Sequence, residues 1–143
     1  MILYLDTSAL VKLFVDEAHS DGIRRAVLES ALITTHAIAY VEACAAFARV
    51  AHERKDESLF PGLRRHLENQ WEGWEITAVT EPLLHRAADL AGRYRLRAYD
   101  SVHLAAVESA FGIFRGRAPF FFAVFDTELK DAAKLAELPL LEV

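Results

Sequence analysis

The sequence predicts a single α/β domain in which helices cover both faces of a mainly parallel sheet, in three α/β/α layers. Apolar, strand-like runs alternate with segments of helical spacing, which is typical of such domains. No internal repeat or low-complexity tract interrupts this alternation. The length of 143 residues matches that of one domain with its own core. We therefore expect one domain over residues 1–143.

The first part of the chain begins with an apolar run, Ile2–Leu5, which predicts a strand that ends at Asp6. The segment TSALVKLF follows with apolar residues three to four positions apart, which is helical spacing. A second helix is predicted over about Ser20–Glu29, and the β-branched residues of ALITT predict the next strand. A long alanine-rich helix is expected over about His36–His52.

The middle of the chain is predicted to contain a loop, a helix, a strand and a helix. Charged residues from Glu53 to Glu57 break the apolar pattern, and Pro61 with Gly62 interrupts a helical stretch that continues to Trp71. The segment WEITAV predicts a strand, and helical spacing returns over Glu81–Arg93.

The last part of the chain is predicted as a helix, a loop, a strand and a final helix. The first helix is expected over Asp100–Phe111, and the glycines and the proline of residues 112–119 indicate a loop. Phe120–Phe125 is continuously apolar, so we expect a strand buried on both faces that ends at Asp126. A helix over about Thr127–Glu137 precedes the apolar tail PLLEV.

Composition narrows the classes of function. The net charge of −5 argues against the broad basic surface of many nucleic-acid-binding proteins, so any nucleic acid must be held locally. The hydrophobic share of 53% is high for a small soluble protein and indicates an apolar surface that faces a partner. Cys44 is the only cysteine, which excludes an intrachain disulfide and a cysteine-based zinc cluster.

No apolar run approaches the roughly 20 residues that span a bilayer, and the first residues lack the basic segment of a signal peptide. The sequence therefore predicts a cytoplasmic protein without membrane contact.

Glu42 is the most informative candidate residue. On the predicted helix, its neighbours three and four positions away are all apolar, namely Ile38, Ala39, Ala45 and Ala46. A carboxylate on a buried face is costly unless it is paired with a cation or bound to a metal. Glu42 is therefore either a partner of Arg49 or another arginine, or a metal ligand.

Three aspartates have both a structural and a catalytic interpretation. Asp6 and Asp126 follow strands and open helices, and Asp100 begins a helix, so each is a candidate helix N-cap. His103, one turn after Asp100, is either a ligand or, as we favour, a core histidine. Ligands of open parallel sheets bind beyond the carboxyl ends of the strands, so these acids would meet there and repel one another. Mg²⁺ or Mn²⁺, which prefers oxygen ligands, would resolve that repulsion.

Four segments carry a resemblance to a known family. Their order and spacing resemble those of the four acidic motifs of PIN-domain nucleases, and of VapC-type toxin ribonucleases in particular. The segments are DTSALVKLFV, YVEACAAFARV, LRAYDSVHLAAVE and FAVFDTELKDAA. The resemblance covers essentially the whole chain. It implies that Asp6, Glu42, Asp100 and Asp126 are catalytic and bind Mg²⁺ or Mn²⁺, with a hydroxyl from Thr7 or Ser8 near the first acid. Glu128 matches the family's further acids only loosely, so the number of metal ions stays open.

The resemblance also implies a function. The chain would be an endoribonuclease in which metal-activated water cleaves RNA and leaves 5′-phosphate and 3′-hydroxyl ends. It would be the toxin of a type II toxin–antitoxin pair, with a cognate antitoxin protein, an RNA substrate and a homodimeric state. We expect the antitoxin to lay an apolar segment over the helices around Val11–Val15 and Ile38–Val50 and to place a basic residue near the acids.

Other interpretations are a housekeeping PIN-domain nuclease, a non-catalytic PIN-like interaction module, and a phosphatase with Asp6 as nucleophile. The haloacid-dehalogenase pattern of such phosphatases needs an aspartate where Ser8 stands, and a binding module would not need all four acids. Five arginines either contact RNA phosphates or are solvated, namely Arg93, Arg95, Arg97, Arg115 and Arg117. The aromatic residues that we expect in the core or an interface are Trp71, Trp74 and Phe120 to Phe122.

Overall fold

The computed structural model describes all 143 residues and contains four strands and seven helices. The elements follow in the order β1 (Ile2–Leu5), α1 (Thr7–Phe14), α2 (Ser20–Glu29), β2 (Leu32–His36), α3 (Ile38–Glu53), α4 (Leu59–Trp71), β3 (Glu75–Thr77), α5 (Glu81–Tyr94), α6 (Ala98–Phe114), β4 (Phe120–Ala123) and α7 (Thr127–Leu135). No helix has the length and apolar composition that crossing a lipid bilayer requires.

The four strands form one fully parallel sheet in the order β3-β2-β1-β4. The central strand β1 pairs with β2 on one side and with β4 on the other, where Tyr4 is the register partner of Phe122. The strand order reverses at β1, so the carboxyl ends of β1 and β4 border the crevice in which such sheets bind ligands. The predicted parallel sheet is therefore confirmed.

Both faces of the sheet are covered by helices, which gives the three predicted layers. Helices α1 to α4 pack on one face, against Leu3, Leu5, Ile33 and Ala123. Helices α5 to α7 pack on the other face, against Ile2, Tyr4, Phe120 and Phe122. Because successive residues of a strand point to opposite faces, β1 must be apolar throughout to contribute to both cores.

Two predicted strands are shorter in the structure. Of the segment WEITAV, only Glu75–Thr77 is a strand, because β3 is an edge strand that pairs with β2 alone. The strand predicted over Phe120–Phe125 ends at Ala123. Beyond it, the backbone N–H of Phe125 donates to Oγ of Ser8 rather than to a neighbouring strand. This contact ties the end of β4 to the start of α1.

Two predicted helix boundaries were wrong. Pro61 does not precede α4 but lies in its first turn, where a backbone N–H would have no helical partner in any case. Helix α6 begins at Ala98 rather than Asp100 and continues through Gly112 to Phe114. Glycine costs about 1 kcal/mol in a helix interior, and α6 is buried over so much of its surface that packing offsets this cost.

The aromatic residues lie in or against the core, as the sequence predicts. Phe120 and Phe122 are buried, and Trp71 and Trp74 are partly buried against the core of the α1–α4 face. Cys44 is also partly buried, and burial raises the pKa of its thiol. A thiol held in its protonated form behaves as a small apolar side chain.

Candidate active site

An open cleft of about 740 Å³ lies beyond the carboxyl ends of β1 and β4 and is lined by all four predicted acids. Asp6 and Asp126 are the N-caps of α1 and α7, Glu42 projects from α3, and Asp100 lies in the first turn of α6. Four separate elements thus bring together carboxylates that are far apart in the sequence.

Asp6 and Asp126 cap helices and line the cleft at the same time. Oδ1 of Asp6 accepts a hydrogen bond from the backbone N–H of Ala9, and Oδ1 of Asp126 accepts one from Leu129, both at 2.9 Å. The hydroxyl of Ser8 also donates to Asp6, at 2.7 and 2.9 Å from its two oxygens. Capping and a place in the cleft are therefore compatible, because a carboxylate has several acceptor positions.

Glu42 is not paired with Arg49 or another arginine, which was one of the two predicted roles. Instead, its Oε1 accepts a hydrogen bond from Thr7 Oγ1 at 2.8 Å and lies 2.9 Å from Nε2 of His103. The expectation of a buried helix face also needs correction, since the Glu42 side chain is 21% exposed. The buried stripe of α3 is instead formed by Ala39, Ala43, Phe47 and Ala51.

Asp100 does not cap α6, because the N-cap position is Arg97. Burial raises the pKa of Asp100, and the nearby charges of Asp126 and Glu42 raise it further, while His103 and Arg97 oppose them. The carboxylates therefore lie close enough for the charge of one to affect the pKa of another.

Asp6 has the most strongly perturbed carboxyl group. It is only 3% exposed, and burial is the main cause that raises its pKa from 3.8 to about 6. Asp100 adds to the increase, whereas His103 and the hydrogen bonds from Ser8 and Ala9 oppose it. A buried carboxylate with such neighbours is less unfavourable when a cation is bound close by.

The raised pKa of Asp6 predicts how the stability of the metal-free protein changes with pH. An aspartate whose pKa is raised on folding destabilises the fold where it is ionised, and this cost disappears as the pH falls below its folded pKa. The two pKa values differ by the equivalent of at most about 3 kcal/mol. Metal-free Asp6→Asn should therefore be more stable than the wild type at pH 8, by up to about this amount, and the gain should vanish near pH 4.

Urea unfolding in the presence of EDTA at several pH values measures this difference. His36, whose pKa is lowered mainly by burial, adds an opposite pH dependence, but it is present in both proteins and cancels in the comparison. A gain in stability that is independent of pH would contradict the prediction.

Basic and aromatic side chains surround the acids. Lys12, Arg49 and Tyr99 line the same cleft, and Arg97 lies at its edge beside Asp100 and Asp126. Of the five arginines that the sequence offered as RNA contacts, only Arg97 borders the cleft, and the other four are exposed elsewhere. The positive charge that an acidic protein needs near a phosphate is therefore local.

The donor set fits a hard cation, although it does not form a closed cage. The four acids line one cleft, but no three acidic, histidine or cysteine side chains lie close enough together to form a ready-made metal site. One reason is that Glu42, Asp6 and Asp126 are held by hydrogen bonds within the protein. Mg²⁺ usually retains several waters and binds through one or two carboxylates, so an open arrangement of oxygen donors suits it. Glu128 is exposed on α7 and does not line the cleft.

Tyr4 and His103 are the site residues that the sequence did not single out for this role. His103 is 1% exposed, which agrees with a core histidine, but it also contacts Glu42 and the hydroxyl of Tyr4. The only signal in the sequence was the spacing of three residues between Asp100 and His103 on one helix.

Comparisons with known proteins give a consistent result. Residues 3–135 match the sequence profile of the PIN domain. The chain is 33% identical over 135 residues to ribonuclease VapC46 of Mycobacterium tuberculosis. This match covers 92% of this chain and 90% of that protein.

Two solved structures share the fold. VapC20 of Mycobacterium tuberculosis, a toxin that cleaves the sarcin-ricin loop, matches with a TM-score of 0.71 and 16% identity over 99% of this chain and 98% of its own. A chain of a toxin–antitoxin complex from Klebsiella pneumoniae matches with a TM-score of 0.57 and 15% identity, over 82% of this chain and 94% of its own.

Proposed function

This chain belongs to the PIN-domain family, and on that premise we propose that it is a metal-dependent endoribonuclease of the VapC type, the toxin of a type II toxin–antitoxin pair. The observation that carries the proposal is the convergence of four carboxylates from four elements on one cleft. Neither helix capping nor the core requires these four acids to meet in one place.

The acids Asp6, Glu42, Asp100 and Asp126 would hold Mg²⁺ or Mn²⁺. A bound ion of this kind lowers the pKa of a coordinated water and stabilises the charge that develops on a phosphodiester. The basic groups of Lys12, Arg49 and Arg97 would contact RNA phosphates on either side of the acids. RNA cleaved in this way carries 5′-phosphate and 3′-hydroxyl ends.

The direct test is an RNA cleavage assay with purified protein. We expect cleavage of single-stranded and structured RNA with Mg²⁺ or Mn²⁺, complete loss after chelation with EDTA, and recovery when excess metal is added. Glu128→Gln is the matched control, because it removes an exposed acid outside the cleft and should cleave at the wild-type rate. Cleavage that persists after thorough chelation would contradict the metal-dependent mechanism.

The cleft also supports an antitoxin as the partner. The wall of the cleft formed by α1 and α3 is apolar, and these are the helices on which the sequence predicts the antitoxin groove. Its apolar lining residues are Val11, Ile38, Val41, Ala45 and Ala46. Val41 is 69% exposed, an unfavourable position for an apolar side chain unless a partner covers it. An apolar antitoxin segment on this wall, with a basic residue beside the acids, would block access to the cleft.

We expect Val41→Gln to weaken binding of the antitoxin by about tenfold or more while the cleavage rate stays near that of the wild type, because the uncharged amide is desolvated only in the complex. Co-expression with the product of the adjacent reading frame, followed by size exclusion and the RNA cleavage assay, measures both effects. Unchanged binding by Val41→Gln would exclude this wall as the antitoxin site.

The same experiments address the remaining proposals. Size exclusion reports whether the chain forms the homodimer that the family resemblance implies. A chain that cleaves RNA but does not harm its host when expressed alone would instead be a housekeeping nuclease. The cytoplasmic location stays a prediction from the sequence.

A further inference from the structure

A buried hydrogen-bond chain leads from the central strand to the cleft. The hydroxyl of Tyr4, on β1, lies 3.0 Å from Nδ1 of His103, on α6. Nε2 of the same imidazole faces Oε1 of Glu42 and lies 3.2 Å from Oγ1 of Thr7. Tyr4 and His103 are both almost completely buried, so water does not compete for the contact between them.

One arrangement of protons satisfies every group in this chain. Thr35 and the backbone of His36 also lie near the Tyr4 oxygen, and they act on it as donors. The acceptor within hydrogen-bond distance of the Tyr4 hydroxyl is Nδ1 of His103, at 3.0 Å, so the hydroxyl donates its proton there. His103 then carries its proton on Nε2 and donates it towards Glu42. The opposite tautomer would place the lone pair of Nε2 against a carboxylate oxygen.

Glu42 needs this support more than the other three acids do. Asp6 and Asp126 are short side chains that backbone N–H groups hold in place, and Asp100 is short and lies at the start of a buried helix. Glu42 lies inside α3 on a longer side chain, whose rotamer freedom must be restricted before it binds anything in a fixed geometry.

We propose that His103 is the positioning residue for Glu42 and that Tyr4 fixes the tautomer in which His103 acts. The inference rests on the proposed function, because Glu42 is one of the proposed metal ligands. The hydrogen bonds to Glu42 reach Oε1, and Oε2 accepts none from the protein. Oε2 is therefore the oxygen left for the cation or for one of its waters, and partners behind a ligand of this kind orient it.

The first measurement does not depend on activity. Nitrogen-15 NMR of the imidazole groups in the whole, metal-free protein at neutral pH identifies the tautomer of His103, assigned by comparison with His103→Gln. We expect the proton on Nε2. In Tyr4→Phe, which removes the hydroxyl but keeps the ring, we expect the two tautomers to be mixed.

The second measurement is affinity for Mn²⁺, followed by titration, together with kcat and KM for RNA cleavage. Tyr4→Phe should bind Mn²⁺ about 10-fold more weakly, and His103→Leu up to about 100-fold more weakly. The value of kcat should fall with the affinity, whereas KM for RNA should stay within about twofold. His103→Gln restores a donor near the position of Nε2 and should recover part of the loss.

Ser101→Ala is the matched control for the loss of a buried hydroxyl. Ser101 lies on the same helix as His103, but its hydroxyl donates only to the backbone carbonyl of Arg97. It should bind Mn²⁺ and cleave RNA as the wild type does. If Tyr4→Phe changes only the thermal stability, as a purely structural contact would, the proposal is overturned.

The outcomes separate this proposal from the proposed function. A wild type that cleaves RNA and binds Mn²⁺, with a proton on Nδ1 of His103 or with Mn²⁺ affinity unchanged in Tyr4→Phe, overturns the positioning role alone. A wild type that binds Mn²⁺ and shows the expected tautomer and losses of affinity, but cleaves no RNA, supports the positioning role and contradicts the nuclease. If His103→Leu does not fold, Tyr4→Phe still decides the question.

Discussion

Asp100→Asn is expected to lower the rate of RNA cleavage by about 10³-fold without reducing the stability of the fold. A bound metal contributes several kcal/mol of transition-state stabilisation, and each 1.36 kcal/mol corresponds to a factor of about ten. Among the three aspartates, Asp100 is the best suited to this test because it caps no helix, whereas Asp6 and Asp126 do. Its replacement therefore removes a charge and a proposed metal ligand and leaves helix capping intact.

The control for this change is Asp89→Asn, the same substitution at an exposed position on α5, outside the cleft. We expect it to cleave at the wild-type rate. Single-turnover cleavage at saturating Mn²⁺ and thermal unfolding should be measured for both variants. A fully active Asp100→Asn protein would remove Asp100 from the site, and an unfolded one would assign it a structural role.

Phe122→Ala is expected to cost about 3–5 kcal/mol of stability, which is a large part of the roughly 5–15 kcal/mol that holds a domain together. Phe122 is completely buried in β4, and its ring packs edge-on against Tyr4 with 5.5 Å between the ring centroids. Its removal leaves a cavity between the central strand and α6. Because that cavity borders Tyr4, cleavage should also fall in the fraction that remains folded.

Urea unfolding at fixed pH measures this loss, and Phe121→Ala is the matched control. Phe121 is the next residue of the same strand, points to the opposite face, and is only partly buried. We expect a smaller loss from this variant, because less apolar surface is exposed and the surroundings can relax. Equal losses in the two variants would contradict our description of the core.

The fold could be predicted from the sequence because its signals are local. The apolar run Ile2–Leu5 and the helical spacing after it need no knowledge of distant residues, and seven helices alternating with parallel strands follow from such segments. The errors lie at the ends of helices, where only a few residues decide whether the helix continues. Pro61 is accepted in a first turn, and Gly112 is carried by a helix whose burial comes from tertiary packing.

The candidate site could be predicted only in part. Glu42 stands out in the sequence as a charged residue among apolar helix neighbours, whereas the three aspartates have a capping role as an alternative. The resemblance to the PIN motifs joins the four acids, and the structure brings all four to one cleft. The partner of Glu42 could not be predicted, because nothing local links Tyr4, Glu42 and His103, which come from three elements. An arginine was the protein partner that the sequence suggested for Glu42. The imidazole of His103 contacts Glu42 instead, because α6 passes beside β1.

The pairing of the first strand with the last determines when the cleft exists. While the ribosome is still making the chain, β1 and Asp6 are present, but β4 and Asp126 have yet to emerge. Contacts between such distant segments form late in folding, because the long loop between them must first close. The nascent chain therefore has an incomplete set of acids and no closed cleft wall. A nuclease built in this way has no complete site until β4 has been made and has paired with β1.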